Sequence, residues 1–212
     1  MKKMKTALES LCESRKMAMP DEINPHGTLF GGVMMSWIDK MGYMCAQNYA
    51  EWKKTVTANI DQIQFLEPVY SGEHVLLSAR VSNVGRSSME IDVQIYKEDP
   101  VTKKKLKVGL AYMTFVAINP NGKSRAVPKL KLETPEDYVR SKNAISRAAS
   151  RKALKEAYEM NEQDSYTEFA TIAGNDNKEG SGNKLKNRFL IRMLGENLVA
   201  KGLILKGYIL SI

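Results

Sequence analysis

Asn24 to Gly32 read NPHGTLFGG, and Asp39 follows seven positions after the second glycine, within VMMSWIDKMGYMCA. A helix that begins on Gly31 and Gly32 offers unpaired backbone N–H groups and a partial positive charge at its start. Two glycines let a carbonyl approach that backbone without meeting a side chain. Such a helix start can polarise a carbonyl and hold the negative charge that builds on its oxygen. Asp39 adds a carboxylate for proton transfer, but two helical turns put it about 10 Å along the axis from Gly32. That is too far to act on the same carbonyl from the same chain, though it could serve a site made with another subunit. Plainer roles exist for each residue. The glycines suit a tight turn and close helix–sheet packing, Asp39 could pair with Lys40 or Lys53, Asn24 suits a turn ahead of Pro25, and His26 could hydrogen-bond within its loop. The order and spacing of the set carry more than any one member.

Elements must hold these groups in place. Residues from Leu29 to about Tyr49 read as a helix: Val33, Met34, Ile38, Met41 and Cys45 recur at helical spacing, while Met35, Trp37 and Met44 put apolar groups on other faces. Such a helix is wrapped on most sides rather than lying on a surface. Four β-rich runs follow, TVTANIDQIQFLEPV, EHVLLSARVSNVG, SSMEIDVQIYKED and KLKVGLAYMTFVAINP, punctuated by Gly, Pro, Asn or Asp with no helical pattern between them. In the third, Met89, Ile91, Val93 and Ile95 alternate with Glu90, Asp92 and Gln94. With Leu8–Met19 as a first strand, the order is β–α–β–β–β–β, and the sheet can best cover its apolar face by wrapping the helix. Beyond the Pro-punctuated AVPKLKLETPEDYV, a charged helix is expected from Tyr138 to about Met160, then a polar linker over Asn161–Asn183, then an apolar stretch over Leu185–Ile212.

Composition narrows the class. Of the 212 residues, 43% are apolar and 26% charged, enough to fill a core. Residues 1–138 hold 19 basic and 16 acidic residues and residues 139–212 hold 13 and 8, so the net charge of +8 is diffuse rather than one stripe. That excess suits a small polyanion as well as a nucleic acid. No helix-turn-helix spacing or zinc pattern supports the latter, so nucleic acid is not expected. Cys12 and Cys45 form no disulfide framework and fit no metal pattern; they read as buried thiols in a reducing compartment. The N-terminus resembles no signal peptide, and LVAKGLILKGYILSI is too short and too charged to span a membrane. A cytoplasmic protein with no metal and no membrane partner is expected.

NPHGTLFGGVMMSWIDKMGYMCA resembles the signature of acyl-CoA thioester hydrolases of the hotdog superfamily, in which an N-x-x-G-x-x-F/H-G-G turn leads into the central helix and an acid follows seven residues later. The resemblance continues through TANIDQIQFLEPVYSGEHV, NVGRSSMEIDVQIY and KLKVGLAYMTFVAINPNGKSRAVP, covering roughly residues 5–138. It implies an α+β hotdog fold, one long helix wrapped by a curved antiparallel sheet, with a C-terminal helical extension. With the patterning above, this gives a thioesterase domain over 1–138, a C-terminal helix over 139–160, and a linker and tail with no assigned role over 161–212. It further implies a homodimer, alone or as a trimer of dimers, with active sites at the dimer interface. Asn24 and Asp39 would then come from opposite subunits: Asp39 as general base or nucleophile, Asn24 orienting water or substrate, and the N–H groups near Gly31 and Gly32 polarising the thioester. Gly85-Arg86-Ser87-Ser88 matches the family's turn beside the phosphates of coenzyme A, with Arg86 as a planar fork and Ser87 and Ser88 as hydroxyl donors. His26 and Asn59 complete the expected substrate-binding set, with Asp61 beside Asn59 on the wall. The substrate would be a small-molecule acyl-CoA, hydrolysed to free fatty acid and coenzyme A; no cofactor is expected, coenzyme A being part of the substrate.

Rival readings remain. Hotdog dehydratases need a catalytic His paired with an acid, and the two histidines, His26 and His74, lie in neither such context. A non-catalytic acyl-CoA sensor with a basic C-terminal appendage, or a hotdog dimer serving only as a scaffold, would keep the fold without the chemistry. The presence of Asn24, Gly31, Gly32 and Asp39 together favours the enzyme. The last fifty or so residues extend past the usual family end and match no pattern.

Overall fold

The structure, a computed structural model, describes the backbone of residues 4–176 and side chains through residue 160. One helix, α1 (Gly31–Ala50), precedes four long strands, β3 (Thr55–Phe65), β4 (His74–Val84), β5 (Ser88–Glu98) and β6 (Lys105–Ala117). With β2 (Cys12–Met17) they form one antiparallel sheet in the order β2-β4-β5-β6-β3. The hotdog architecture follows from the alternation in the strands. Ile91, Val93 and Ile95 of β5, with Met113 and Phe115 of β6, turn inward and meet Trp37, Ile38, Met41 and Cys45 of α1 in a single core. Gly42 is needed there: a Cβ on it would lie 2.7 Å from the Phe115 ring.

Three expectations need correction. The first strand does not run over Leu8–Met19: Leu8–Ser10 is a turn of 3₁₀ helix and only Cys12–Met17 pairs, along β4. A short strand not foreseen, β1 (Met4–Thr6), pairs in parallel with β7 (Lys129–Lys131). Buried Lys5 explains its place, because its ammonium reaches the Asn48 carbonyl at the end of α1 (3.1 Å), where the helix favours a cation. Finally, the second helix, α2 (Pro135–Asp176), starts three residues before Tyr138 and continues past Met160. The early start is a capping box. Thr134 Oγ1 accepts from the Asp137 N–H (3.1 Å), the Asp137 carboxylate accepts from the Thr134 N–H (3.0 Å), and Pro135 occupies the first helical position. Burial raises the Asp137 carboxyl, but hydrogen bonds at Thr134 and Glu133 with the charge of Arg80 outweigh it and hold it below its ordinary 3.8. Residues 161–176 extend the helix where a linker was expected, since each residue added to a formed helix gains a bond without a new nucleus. The remainder of that linker and the Leu185–Ile212 stretch lie outside the described residues.

Contacts divide the chain after Lys152. Residues through Lys152 hold the sheet, α1 and the first part of α2. Of the second unit, the described side chains include a Lys155–Glu159 pair (3.6 Å) one turn apart on the helix. Among the described residues no helix is long and apolar enough to cross a membrane. Both cysteines are free, but only Cys45 is buried; Cys12 is half-buried on the sheet edge. The Cys45 thiol beside it brings Cys12 down to about 7, while that contact and burial push Cys45 up.

Candidate active site

The loop ahead of α1 is a small closed turn. The Asn24 N–H donates to the Thr28 carbonyl (2.8 Å), the Gly27 N–H donates back to the Asn24 carbonyl (2.9 Å), and Gly27 takes φ +81°, where a side chain would be strained. Inside it, Asn24 Oδ1 accepts from the N–H groups of His26 (2.9 Å) and Thr28 (3.3 Å), and its amide nitrogen donates to Thr28 Oγ1 (3.0 Å). Asn24 is therefore a turn former, as its place before Pro25 allowed. Its amide carries a second hydrogen that Thr28 does not use. The His26 side chain is exposed and ties into the turn through its backbone only. Two bonds anchor the loop: the Leu29 N–H to the Val69 carbonyl (2.7 Å) and the Phe30 N–H to the Glu22 carbonyl (2.9 Å).

Phe30 stays extended, and the helix begins at Gly31. The N–H groups of Val33 and Met34 bond to the Phe30 carbonyl at 3.0 and 3.2 Å. Those of Gly31 and Gly32 take no acceptor among the described residues. The two glycines differ in why they are glycine. A Cβ at Gly31 would meet only a Phe65 ring carbon at 3.6 Å, an ordinary contact, so packing within the chain does not demand glycine there. A Cβ at Gly32 would lie 2.4 Å from the Phe30 ring. Within the chain, space is therefore open beside Gly31, while the Phe30 ring lies close over Gly32.

Asn24, Thr28, Gly31, Met34, Phe65 and Val69 line a cleft of about 400 Å³. Glu67, which the sequence reading passed over, lines it too. Gly32 and Asp39 do not. Asp39 stands exposed further along α1, and its partner is neither Lys40 nor Lys53 but the Thr57 hydroxyl, which donates to Oδ1 at 2.8 Å. One protomer therefore brings Asn24 and Gly31 together at the cleft and joins Asp39 to Thr57 elsewhere. The Asp39–Thr57 contact was invisible to spacing because it joins a helix to a strand 18 residues on.

Asn59 is the second correction. Strand β3 carries an extra residue between Thr57 and Asn59 and another between Ile60 and Gln62. Thr57 pairs with core-facing Phe115, but the first bulge sets Asn59 opposite Thr114, on the sheet's other face. A one-residue shift exchanges the faces of a strand. Asn59 then donates to Asp61 Oδ1 (2.9 Å), which also accepts from Arg151 of α2. Neither Asn59 nor Asp61 lines the cleft.

The Gly85–Ser88 turn links β4 to β5 and is closed by the Gly85 N–H on the Ser88 carbonyl (2.9 Å). A Cβ at Gly85 would strike Ser88 Oγ at 2.6 Å. The Arg86 carbonyl accepts from the Val127 N–H (3.0 Å), which fixes the backbone of the turn while the exposed Arg86 guanidinium takes no protein partner among the described residues. Ser87 and Ser88 sit half-buried beside it. Such a free planar fork beside two hydroxyls can take a phosphate. Nearby Arg125 is occupied, its guanidinium 3.6 Å above the Trp52 ring. Among the described residues no group of His, Cys, Asp and Glu could hold a metal ion.

Comparison with known proteins bears on the family and the fold. The sequence model of the thioesterase superfamily matches residues 26–104. An uncharacterized acyl-CoA thioester hydrolase of Bacillus subtilis, YkhA, is 36% identical over 157 residues, 72% of this chain and 91% of the relative. An acyl-CoA hydrolase from Staphylococcus aureus, solved in complex with butyryl coenzyme A, coenzyme A and coenzyme A disulfide, superposes with a TM-score of 0.70 at 34% identity, covering 76% of this chain and 97% of that one. The same S. aureus enzyme has been solved with an asparagine, an aspartate and a threonine each changed to alanine. A hexameric acyl-CoA thioesterase gives a TM-score of 0.69 at 27% identity over 72% of this chain and 97% of its own. Identity of this degree across nine-tenths of a relative, on a matching fold, places the chain in the hotdog-fold thioesterase superfamily.

Proposed function

We propose that this chain hydrolyses acyl-CoA to a free fatty acid and coenzyme A, with active sites completed between two copies. The observation that carries the reading is the start of α1: the Gly31 N–H, without an acceptor among the described residues, lies beside a cleft that Asn24 also lines. That N–H polarises the thioester carbonyl and takes the charge of the tetrahedral intermediate. The free hydrogen of the Asn24 amide orients water or substrate. Asp39 of the second copy accepts a proton from the attacking water, with the Thr57 hydroxyl holding its carboxylate in place. The thiolate leaves readily, so no strong general acid is called for. Arg86, with Ser87 and Ser88, meets the phosphates of coenzyme A.

Two facts support assembly as a dimer, alone or within a hexamer. Strand β3 is an edge strand that exposes Val56, Ile60 and Phe65, a surface suited to a second copy. An acyl-CoA thioesterase that shares this fold is hexameric. The asparagine and aspartate altered in the S. aureus enzyme stand fifteen positions apart, as Asn24 and Asp39 do, which supports their reading as site residues. Thiol release from a panel of acyl-CoAs tests the activity, and Asp39→Ala is expected to lower kcat by about 10²–10⁴-fold with assembly intact. Undiminished turnover in that variant, with loss in Glu67→Gln, would put the base inside one protomer. Binding without turnover at every chain length would leave a ligand sensor instead.

A further inference from the structure

Thr57 holds Asp39, and the segment carrying Thr57 is irregular. Two extra residues, Ala58 and Asp61, interrupt its ladder within one turn's length of chain. Strand β3 pairs on one side only, with β6, so no second strand of the protomer corrects a slip. A slip of one residue would carry Thr57 off the inner face and break its 2.8 Å bond to Asp39.

What holds the segment comes from the opposite face. Asp61, the extra residue of the second bulge, has a side chain only 10% exposed. Its Oδ1 accepts from both Asn59 Nδ2 and Arg151 Nη1, while its buried Oδ2 has no partner. A buried carboxylate keeps such a position only beside a cation. Without Arg151, Asp61 would turn to solvent and take the bulge with it. Resting on the thioesterase reading above, we infer that Arg151 is a positioning residue: through Asp61 and Asn59 it clamps the doubly bulged part of β3 in the register that keeps the Thr57 hydroxyl on Asp39. Arg147 offers the control. It forms a like pair, with Glu90 (2.6 Å) on central β5, and lies over Tyr112, but among the described residues no hydrogen bond or ion pair joins it to the bulged segment.

The experiment compares Arg151→Ala, Arg147→Ala and Thr57→Ala in the full chain, using acyl-CoA turnover and amide hydrogen exchange over residues 55–65. Arg151→Ala should lower kcat about tenfold with KM within about twofold, and lower it no further in the Thr57→Ala background. It should also speed exchange in the bulged segment, whereas Arg147→Ala should leave both kcat and that exchange unchanged. Should Arg151→Ala not fold, Arg151→Lys keeps the charge without the planar fork and should show a smaller change of the same kind. Unchanged exchange, an equal loss of kcat in the Thr57→Ala background, or an equal effect from Arg147→Ala would overturn the clamp. Faster exchange in a chain with no thioesterase turnover would uphold the clamp and sink the enzymatic reading instead.

Discussion

The two faces of the sheet are both buried, yet by opposite physics. On β5 the inward residues Met89, Ile91, Val93 and Ile95 meet α1, and the outward residues Glu90, Asp92 and Gln94 are covered as well. Inside, the contact is apolar and roughly indifferent to which apolar neighbour supplies it. Outside, α2 brings Arg140 to Asp92, Arg147 to Glu90 and Arg151 to Asp61, three cations along one side of a helix. Apolar burial of the inner kind is a direct source of stability, whereas a buried ion pair counts chiefly through the cost of losing one partner. The candidate groups Gly31, Asp39 and Thr57 lie at α1 and β3, and the outer side bears on Thr57 only through the strand.

Three measurements would break or sharpen that contrast. The largest effect is expected inside: Phe115→Ala should cost about 3–5 kcal/mol in urea unfolding, as a cavity opens against Gly42 and the α1 core. A smaller loss would mean the inner face repacks freely. Next comes Arg140→Ala, which strands the Asp92 carboxylate and should cost about 3 kcal/mol, whereas Asp92→Leu combined with Arg140→Leu should come out near neutral. If the single variant is neutral too, the outer face is an ordinary solvated surface. Smallest is Asp137→Asn at the start of α2, expected to cost about 1–2 kcal/mol at pH 7. Because the Asp137 carboxyl is held below 3.8 in the folded chain, its contribution is complete above that value and is lost as pH falls through the lower folded value. The gap between Asp137→Asn and the parent should therefore close below about pH 3.8, and a gap that persists at lower pH would remove the carboxylate from the cap.

Much of this was legible beforehand because it rests on local pattern. Period-2 alternation at Ser88–Tyr96 placed β5, and the Gly31-Gly32 pair placed the start of α1 within two residues. The capping box in Thr134-Pro135-Glu136-Asp137 was equally local and was overlooked, which is why α2 begins earlier than expected. Glu90 and Asp92 mark the face opposite the apolar one, but nothing within β5 tells that Arg140 and Arg147 of α2 will cover it. Asn59 failed for a third reason: bulges depend on strand pairing, and no residue type near Ala58 or Asp61 marks them.

The sequence by itself determined the helix wrapped in strands, the turn built on Asn24, and the donors at Gly31, since these depend on residues within a few positions of one another. Only the tertiary structure decided that Thr57 serves Asp39 and that Asn59 faces α2 rather than the cleft. Those outcomes turn on register and on which distant element covers which face. Both are settled by the packing of whole strands and helices against each other, where a shift of one residue reverses every side chain.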